Sequence, residues 1–329
     1  DITFDDQVLG VSWRAPRANV ALQRSAIGLG VDADLALQIN GQRSRITGEL
    51  TYKRLGSTVS LALRFRDLNP ALIADGAPRL SLLSAANILV SGSLGIQMRA
   101  DGQVDSFAFD LDSSRGRLAG EVILTSDGAG LIGTTHFHEF EVSSFAGKFA
   151  QLAPLESIDA LLSGRAKFEA TTDGRISRIQ FDVDAGAGEL ELPAFYPKPV
   201  AIAGMQLRGS MADDMARLRI AEATIDLGGP ILSIQASATR LRDDIQVQFE
   251  GTLSGVPVRS VEGYWPKDVA PLPRKWIVKN VVGGTISEVR LSMKARLIGG
   301  ALENADVQSI GGTLIFDGTS INYFDPLPI

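Results

Sequence analysis

Long stretches of this chain alternate apolar and polar residues with a period of two, the pattern of a β-strand with one buried and one wet face. Val31, Ala33, Leu35, Leu37 and Ile39 alternate with Asp32, Asp34 and Gln38, and Val59, Leu61, Leu63 and Phe65 with Ser60, Ala62 and Arg64. Leu94, Ile96 and Met98 repeat the pattern, as do Phe107, Phe109 and Leu111 against Ala108 and Asp110. Ile179, Phe181 and Val183 oppose Gln180 and Asp182, Val247 and Phe249 oppose Gln248, and Val289, Leu291 and Met293 oppose Arg290, Ser292 and Lys294. Asn40-Gly41, Asp101-Gly102, Asp127-Gly128 and Asp173-Gly174 fall between such runs as hairpin signals. The pattern predicts a mainly β chain of antiparallel strands, each covered on one side only.

Helical spacing interrupts it most clearly between Val256 and Arg296. Val258, Val261, Tyr264 and Trp265 fall near one face before Pro266, and after Pro273 a second short run groups Trp276, Ile277, Asn280 and Val281. Gly283-Gly284 is expected to stop that helix, and a strand begins at Thr285.

The chain also repeats itself. Ser91-Gly92, Asp101-Gly102, Phe109-Asp110-Leu111-Asp112 and Leu118 return as Ser163-Gly164, Asp173-Gly174, Phe181-Asp182-Val183-Asp184 and Leu190, each displaced by 72 positions (173 − 101 = 72). A fixed period marks units that stack to bury a shared apolar face. The expected organisation is one elongated segment over 1–329, with modules at about 20–91, 92–163 and 164–329. The third carries an insertion at 190–229, and the helical region of each module is a crossover.

With 329 residues, 45% hydrophobic but only 6% aromatic, and 34 glycines, the composition agrees with many short strands and tight turns. A formal charge of −6 opposes nucleic-acid binding, and no polybasic membrane patch is present. The absence of cysteine excludes disulfides and thiolate metal sites, and suits cytoplasm and periplasm alike. No apolar run reaches the roughly 20 residues of a membrane helix, and Asp1 opens directly into strand-like sequence, so a fragment of a longer protein is expected.

The 256–329 region, with Tyr264-Trp265-Pro266, Arg274, Trp276, Asn280 and Gly283-Gly284 ahead of a strand and Gly311–Ile329 closing the chain, resembles the C-terminal AsmA-like region of the AsmA, TamB and YhdP group of bacterial envelope proteins. The resemblance implies a long, curved, open β-groove in the periplasm of a Gram-negative cell, with an inner-membrane anchor absent here. It also implies phospholipids as cargo and envelope or membrane proteins as partners at the ends.

Alternation leaves open what covers the apolar face: a closed sandwich or small barrel seals it, whereas an open trough needs an occupant. The repeat favours the trough, which about 20 strands at about 4.8 Å each would extend to roughly 100 Å. Acyl chains suit such a wall, because each buried CH₂ contributes about 0.8 kcal/mol without polar partners. The expected lining is Leu35, Leu37, Ile39, Val59, Leu61, Leu63, Phe65, Leu94, Ile96, Met98, Phe107, Phe109, Leu111, Ile179, Phe181, Val183, Val247, Phe249, Val289, Leu291 and Met293. Tyr264, Trp265, Arg274 and Trp276 mark the rim and crossover helices. Trp265 and Trp276 are expected to pack those helices onto the sheet mouth rather than to anchor at a bilayer or plug the groove, and Arg259, Lys267, Arg274, Lys275 and Lys279 decorate the same segment as candidates to meet lipid phosphates. Rival readings are a β-rich chaperone or scaffold for outer-membrane proteins, working through exposed strand edges, and a non-binding β spacer.

No enzymatic constellation competes with these. His136 and His138 share a strand face without a third ligand, so a metal site is not expected, nor any other cofactor. The pairs Asp110 and Asp112, and Asp182 and Asp184, read as solvated outer-face carboxylates rather than catalytic acids. The glycine-rich pieces Gly128-Ala129-Gly130 and Gly186–Gly188 lack the helix and lysine of a phosphate loop.

Overall fold

The computed structural model describes residues 2–6, 11–39, 42–74, 87–125, 128–143, 153–172, 175–193, 195–241, 243–267, 269–300 and 304–322. The expected hairpin tips Asn40-Gly41 and Asp173-Gly174, the tip residue Asp127, and the end of the chain after Asn322 lie outside the described residues. The first strands are β1 (Ile2–Asp6), β2 (Val11–Ser25), β3 (Gly28–Ile39), β4 (Gln42–Lys53), β5 (Thr58–Leu68), β6 (Val90–Arg99), β7 (Val104–Ser113), β8 (Gly116–Leu124) and β9 (Gly130–Glu141). They are followed by β10 (Ile158–Asp159), β11 (Leu161–Thr171), β12 (Ile176–Ala185), β13 (Gly188–Leu190), β14 (Val200–Ile202), β15 (Gly204–Ala212), β16 (Arg217–Asp226) and β17 (Ile231–Leu241). The last are β18 (Asp244–Pro257), β19 (Val281–Val282), β20 (Thr285–Leu297), β21 (Ala305–Asp317) and β22 (Ser320–Ile321). Among the described residues three short α-helices, α1 (Pro70–Ala74), α2 (Val261–Tyr264) and α3 (Pro271–Asn280), join them. The mainly β antiparallel fold expected from the alternation, and the open sheet that the repeat favoured over a closed one, are what is observed.

The chain divides into two compact units, residues 1–156 with 162–176, and 157–161 with 177–329. In the first, each strand from β1 to β8 pairs antiparallel with its successor, and β9 is hydrogen-bonded to β11. These ten strands step about 43 Å across the sheet at about 4.8 Å each. The repeat is visible in backbone geometry. Asp67 and Glu139, 72 positions apart (139 − 67 = 72), both take left-handed φ values, 53° and 48°. Each donates its N–H to a serine Oγ, Ser91 at 3.1 Å and Ser163 at 3.0 Å, again 72 apart (163 − 91 = 72). At Asp67 the register of β5 against β6 slips between Phe65 and Leu68, so this residue is a bulge whose free donor the serine satisfies. It turns the chain out of the sheet just before the crossover.

In the second unit β12, β15, β16, β17, β18, β20 and β21 pair antiparallel in that order. The expected insertion begins where β13 ends. Three residues of β13 form a small sheet with β10 and β14, and Pro193, Pro197 and Pro199, which lack N–H donors, follow where the earlier copy continues as the nine-residue β8. Its crossover carries a buried cluster of its own. Val256, Val258, Val261, Ile277, Val281 and Ile286 form one buried cluster, Ile286 at 0% exposure, with Tyr264, Trp265 and Phe316 packed on it. Buried side chains of the first unit, Leu37, Leu68 and Val90, likewise sit at the strand ends from which its crossover leaves. Among the described residues these buried side chains form a seam at the strand ends.

Two helical expectations need correction. α3 starts at Pro271, with a proline in its first turn where no N–H is missed, and ends at Asn280. The pair Gly283-Gly284, with φ of 69° and 72°, is instead the turn between β19 and β20. Trp276 does not join Ile277 and Val281. It lies 47% exposed while they are buried, because consecutive helical positions differ by about 100° and cannot share a face.

Candidate functional site

Cross-strand register turns the alternation into a surface. In the first unit Val20, Ala33, Gly48, Leu63, Leu94, Phe109, Gly120 and Thr135 lie opposite one another from β2 to β9. The next row along the strands is Leu22, Val31, Leu50, Leu61, Ile96, Phe107, Val122 and Gly133, and on the other side runs Ala18, Leu35, Ile46, Phe65, Gly92, Leu111, Leu118 and Phe137. In the second unit Val183, Leu207, Ala223, Ile234, Gly251, Leu291 and Gly312 make one row, and Phe181, Gly209, Ile220, Ala236, Phe249, Met293 and Ile310 another. Residues directly opposite in an antiparallel pair share a face, so each unit presents one continuous apolar face.

The expected lining residues fall on these faces. Leu37 is buried at 4% exposure, and the side chain of Ile39 lies outside the described residues. The other nineteen, from Leu35 to Met293, are all half-buried. A second sheet packed on this face would bury them, as strand side chains in sandwiches are buried. The exposed margin is wider at β2, where Val20 and Leu22 are 59% and 69% exposed. Sequence reasoning missed the lining from β15, β16 and β17, such as Met205, Ile220, Ile225, Leu232 and Ile234. On β16 the apolar phase shifts between Ile220 and Ala223, against both β15 and β17, whereas on β15 and β17 the period-two signal is unbroken and was there to be used.

The rings on these faces lie down. An ideal Cβ at Gly133 would sit 2.1 Å from Cζ of Phe168, one at Gly209 2.6 Å from Cζ of Phe181, and one at Gly120 2.8 Å from Cζ of Phe109. Each phenylalanine therefore lies over a glycine that stands where another side chain would push it up. Leu63 Cδ2 treats Gly48 the same way, at 3.0 Å. The result is an apolar wall of low relief.

The opposite face is polar and cross-linked. Arg45 grips Asp34 through two hydrogen bonds of 2.9 and 2.6 Å, Arg117 grips Asp110 at 3.0 and 2.7 Å, and Arg208 reaches Asp182 at 3.2 Å. The guanidinium contacts hold the carboxyls of Asp34 and Asp110 below the ordinary carboxylate range. Asp244 is lowered by the Gly299 N–H and then by Arg296. Asp110 and Asp182 are thus ion-paired rather than merely solvated. Two shallow hollows open on this side. One of about 680 Å³ lies between the rows containing Glu222, Gln235 and Glu250 and Thr224, Thr252 and Arg290, and one of about 430 Å³ lies among Asp32, Asp34, Thr47, Glu49 and Arg64. They are gaps between rows of side chains over a floor of backbone. His136 and His138 also face this side, with His138 Nδ1 at 3.3 Å from Ser163 Oγ. Among the described residues no group of three or more His, Cys, Asp or Glu side chains could hold a metal ion.

The expected rim divides in two. Arg274 points inward, its side chain 14% exposed, donating to the Trp265 carbonyl at 3.0 Å and the Glu262 carbonyl at 3.3 Å. It ties α3 to α2 and is committed to that clamp, which corrects the expectation that it meets lipid phosphate. Trp265 packs on the buried cluster and donates its Nε1–H to the Val269 carbonyl at 2.6 Å. Tyr264 offers its carbonyl to the Tyr196 hydroxyl at 2.8 Å. Burial raises the Tyr196 hydroxyl above its ordinary pKa. Trp276 alone of the four is exposed, one helical turn from Leu272, which is 79% exposed.

No helix among the described residues is long and apolar enough to cross a membrane. Comparison with protein-family models, with curated proteins and with solved structures finds no match to this chain.

Proposed function

We propose that this chain holds the acyl chains of phospholipids against its apolar sheet faces, as a periplasmic groove segment of an AsmA-like lipid-transfer protein that moves phospholipid between the inner and outer membranes. The observation that supports this reading is the register: the apolar rows run unbroken from β2 to β9 and from β12 to β21, and the described residues leave them half-exposed. A face of this extent exceeds the few hundred Å² that soluble proteins leave uncovered, so it calls for an occupant. A hydrocarbon chain fits because each CH₂ it buries contributes about 0.8 kcal/mol and asks for no polar partner. The low relief made by rings lying over glycines suits a ligand that slides. Headgroups remain in water beyond the strand ends, and the chemistry of the wall needs neither a cofactor nor a catalytic side chain.

The test is native mass spectrometry and lipid extraction of protein purified without detergent, beside the variant carrying Leu63→Asp, Phe109→Asp and Phe181→Asp. These side chains are half-exposed, so the carboxylates keep their water and the circular dichroism spectrum stays that of the parent. Co-purifying phospholipid that the variant loses supports the proposal. A parent that carries no lipid and takes up none from phospholipid vesicles would refute it, and if that lipid-free protein captured unfolded porins the chaperone reading would replace it.

A further inference from the structure

Two hairpin turns of the first unit stand side by side, at the strand ends away from the buried Leu37 and Leu68. Ser25 pairs with Gly28, which leaves Ala26 and Ile27 as the tip between β2 and β3, and Lys53 pairs with Thr58, which leaves residues 54–57 as the tip between β4 and β5. The Arg54 N–H donates to the Ile27 carbonyl at 3.0 Å, so the two tips form one surface.

Turn positions ordinarily take Gly, Asn, Asp or Ser, yet these tips carry Ile27, 73% exposed, and Leu55, 93% exposed. One exposed aliphatic side chain needs no explanation, but two on touching tips make an apolar point. Around it Arg24, Lys53 and Arg54 are all exposed, and neither 22–30 nor 50–59 contains an acid. Several other turns are acidic instead: Asp101 lies between β6 and β7, Asp213 and Asp214 between β15 and β16, and Asp243 between β17 and β18. No run of basic residues announces the cluster. Arg24 and Lys53 are 29 positions apart (53 − 24 = 29), and the pairing of β3 with β4 brings their turns together.

We infer that these two tips dock the protein on an anionic phospholipid bilayer, Ile27 and Leu55 entering the interface while Arg24, Lys53 and Arg54 meet lipid phosphates. A bilayer offers hydrocarbon behind a layer of phosphates, which matches an apolar point with basic shoulders. An acidic protein surface would match the cations but would set Leu55 against carboxylates and water. A free phosphate finds no enclosure, since every residue of 53–57 is exposed. Behind the tips, Leu29, Tyr52 and Val59 lie opposite one another and half-buried, and the tyrosine ring is of the kind that sits at bilayer interfaces. That row ends the apolar face of the first unit, so a docked bilayer meets the end of the face. The whole chain carries −6, so the field that draws the basic tips to an anionic surface turns the acidic remainder away from it.

Co-sedimentation with vesicles tests this, using phosphatidylcholine alone and phosphatidylcholine mixed equally with phosphatidylglycerol. The parent is expected to bind the mixed vesicles, more weakly in high salt, and to leave the neutral ones unbound. Lys53→Glu with Arg54→Glu is expected to weaken binding by at least about 25-fold, about fivefold for each charge removed, and Ile27→Ser with Leu55→Ser by about tenfold. All four side chains are exposed, and an unchanged circular dichroism spectrum separates lost docking from lost fold. The chain has no cysteine, so Ala26→Cys carries a single environment-sensitive dye beside Ile27. Its emission is expected to shift to the blue on the mixed vesicles, while a dye carried through Ala62→Cys, exposed on the polar face of β5, keeps the emission it has in water. A parent that ignores the mixed vesicles overturns the inference. So does binding that the Ile27 and Leu55 pair leaves unchanged, since the contact is then one that any polyanion would make. Protein that carries phospholipid yet ignores vesicles defeats the docking and keeps the groove proposal, and docking by protein that takes up no lipid does the reverse.

Discussion

Gly133→Ala tests the flat-ring construction of the apolar face. Gly133 is not among the glycines with a left-handed φ, so alanine is compatible with its backbone, and a strand glycine replaced by alanine ordinarily gains about 0.5–1 kcal/mol. Here the new methyl would lie 2.1 Å from Cζ and 2.4 Å from Cε1 of Phe168, against an optimal carbon–carbon separation of about 3.5–4.0 Å. The ring must rise by about 1.5 Å and give up its contact with the sheet, an overpacking cost of about 1–3 kcal/mol. The clash outweighs the entropic gain, and a net loss of about 1–2 kcal/mol is expected as a lower urea midpoint at unchanged slope. In a Phe168→Ala background the methyl enters vacated space, the clash disappears and the substitution turns stabilising by about 0.5–1 kcal/mol. The double-mutant cycle therefore yields a coupling of about 1.5–3 kcal/mol. Equal effects of Gly133→Ala in the two backgrounds would show that the ring does not rest on Gly133, and the low-relief description of the wall would fall with it.

Two more outcomes follow from the site's construction. Arg274→Ala leaves the Trp265 and Glu262 carbonyls without their charged donor and is expected to cost about 2 kcal/mol, whereas Trp276→Ala on the outer side of the same helix changes thermal stability by less than about 0.5 kcal/mol; equal losses would contradict the inward and outward division of the rim. On acidification, Asp34, Asp110 and Asp244 have folded pKa values below their unfolded ones, so their contribution is present above the ordinary carboxylate pKa of about 3.9 and is lost as pH falls through the lower folded values. Urea midpoints should hold steady from neutrality to about pH 5 and decline below about pH 4, and Asp34→Asn with Asp110→Asn should reduce that decline; a decline beginning near pH 6 would point to other groups.

The sequence by itself determined the class of fold, the chemical difference between the two faces and the 72-residue period, because all three are local. Side chains two apart share a strand face whatever the tertiary structure does, and a bulge such as Asp67 recurs at Glu139 because the residues around it recur. Which strand lies beside which, and at what register, was decided only by the tertiary structure. Alternation marks Phe168 as apolar but does not say that Gly133 lies beneath it, and the phase shift on β16 between Ile220 and Ala223 hid that strand's contribution from any fixed count. The same limit governs the rim. Arg274 and Trp276 read alike as polar and aromatic decoration of one helix, and the long-range packing of α3 on the 256–286 cluster turned the first inward as a clamp and left the second in water. Charges and rings are written in the chain, while their partners are set by contacts between residues far apart in it.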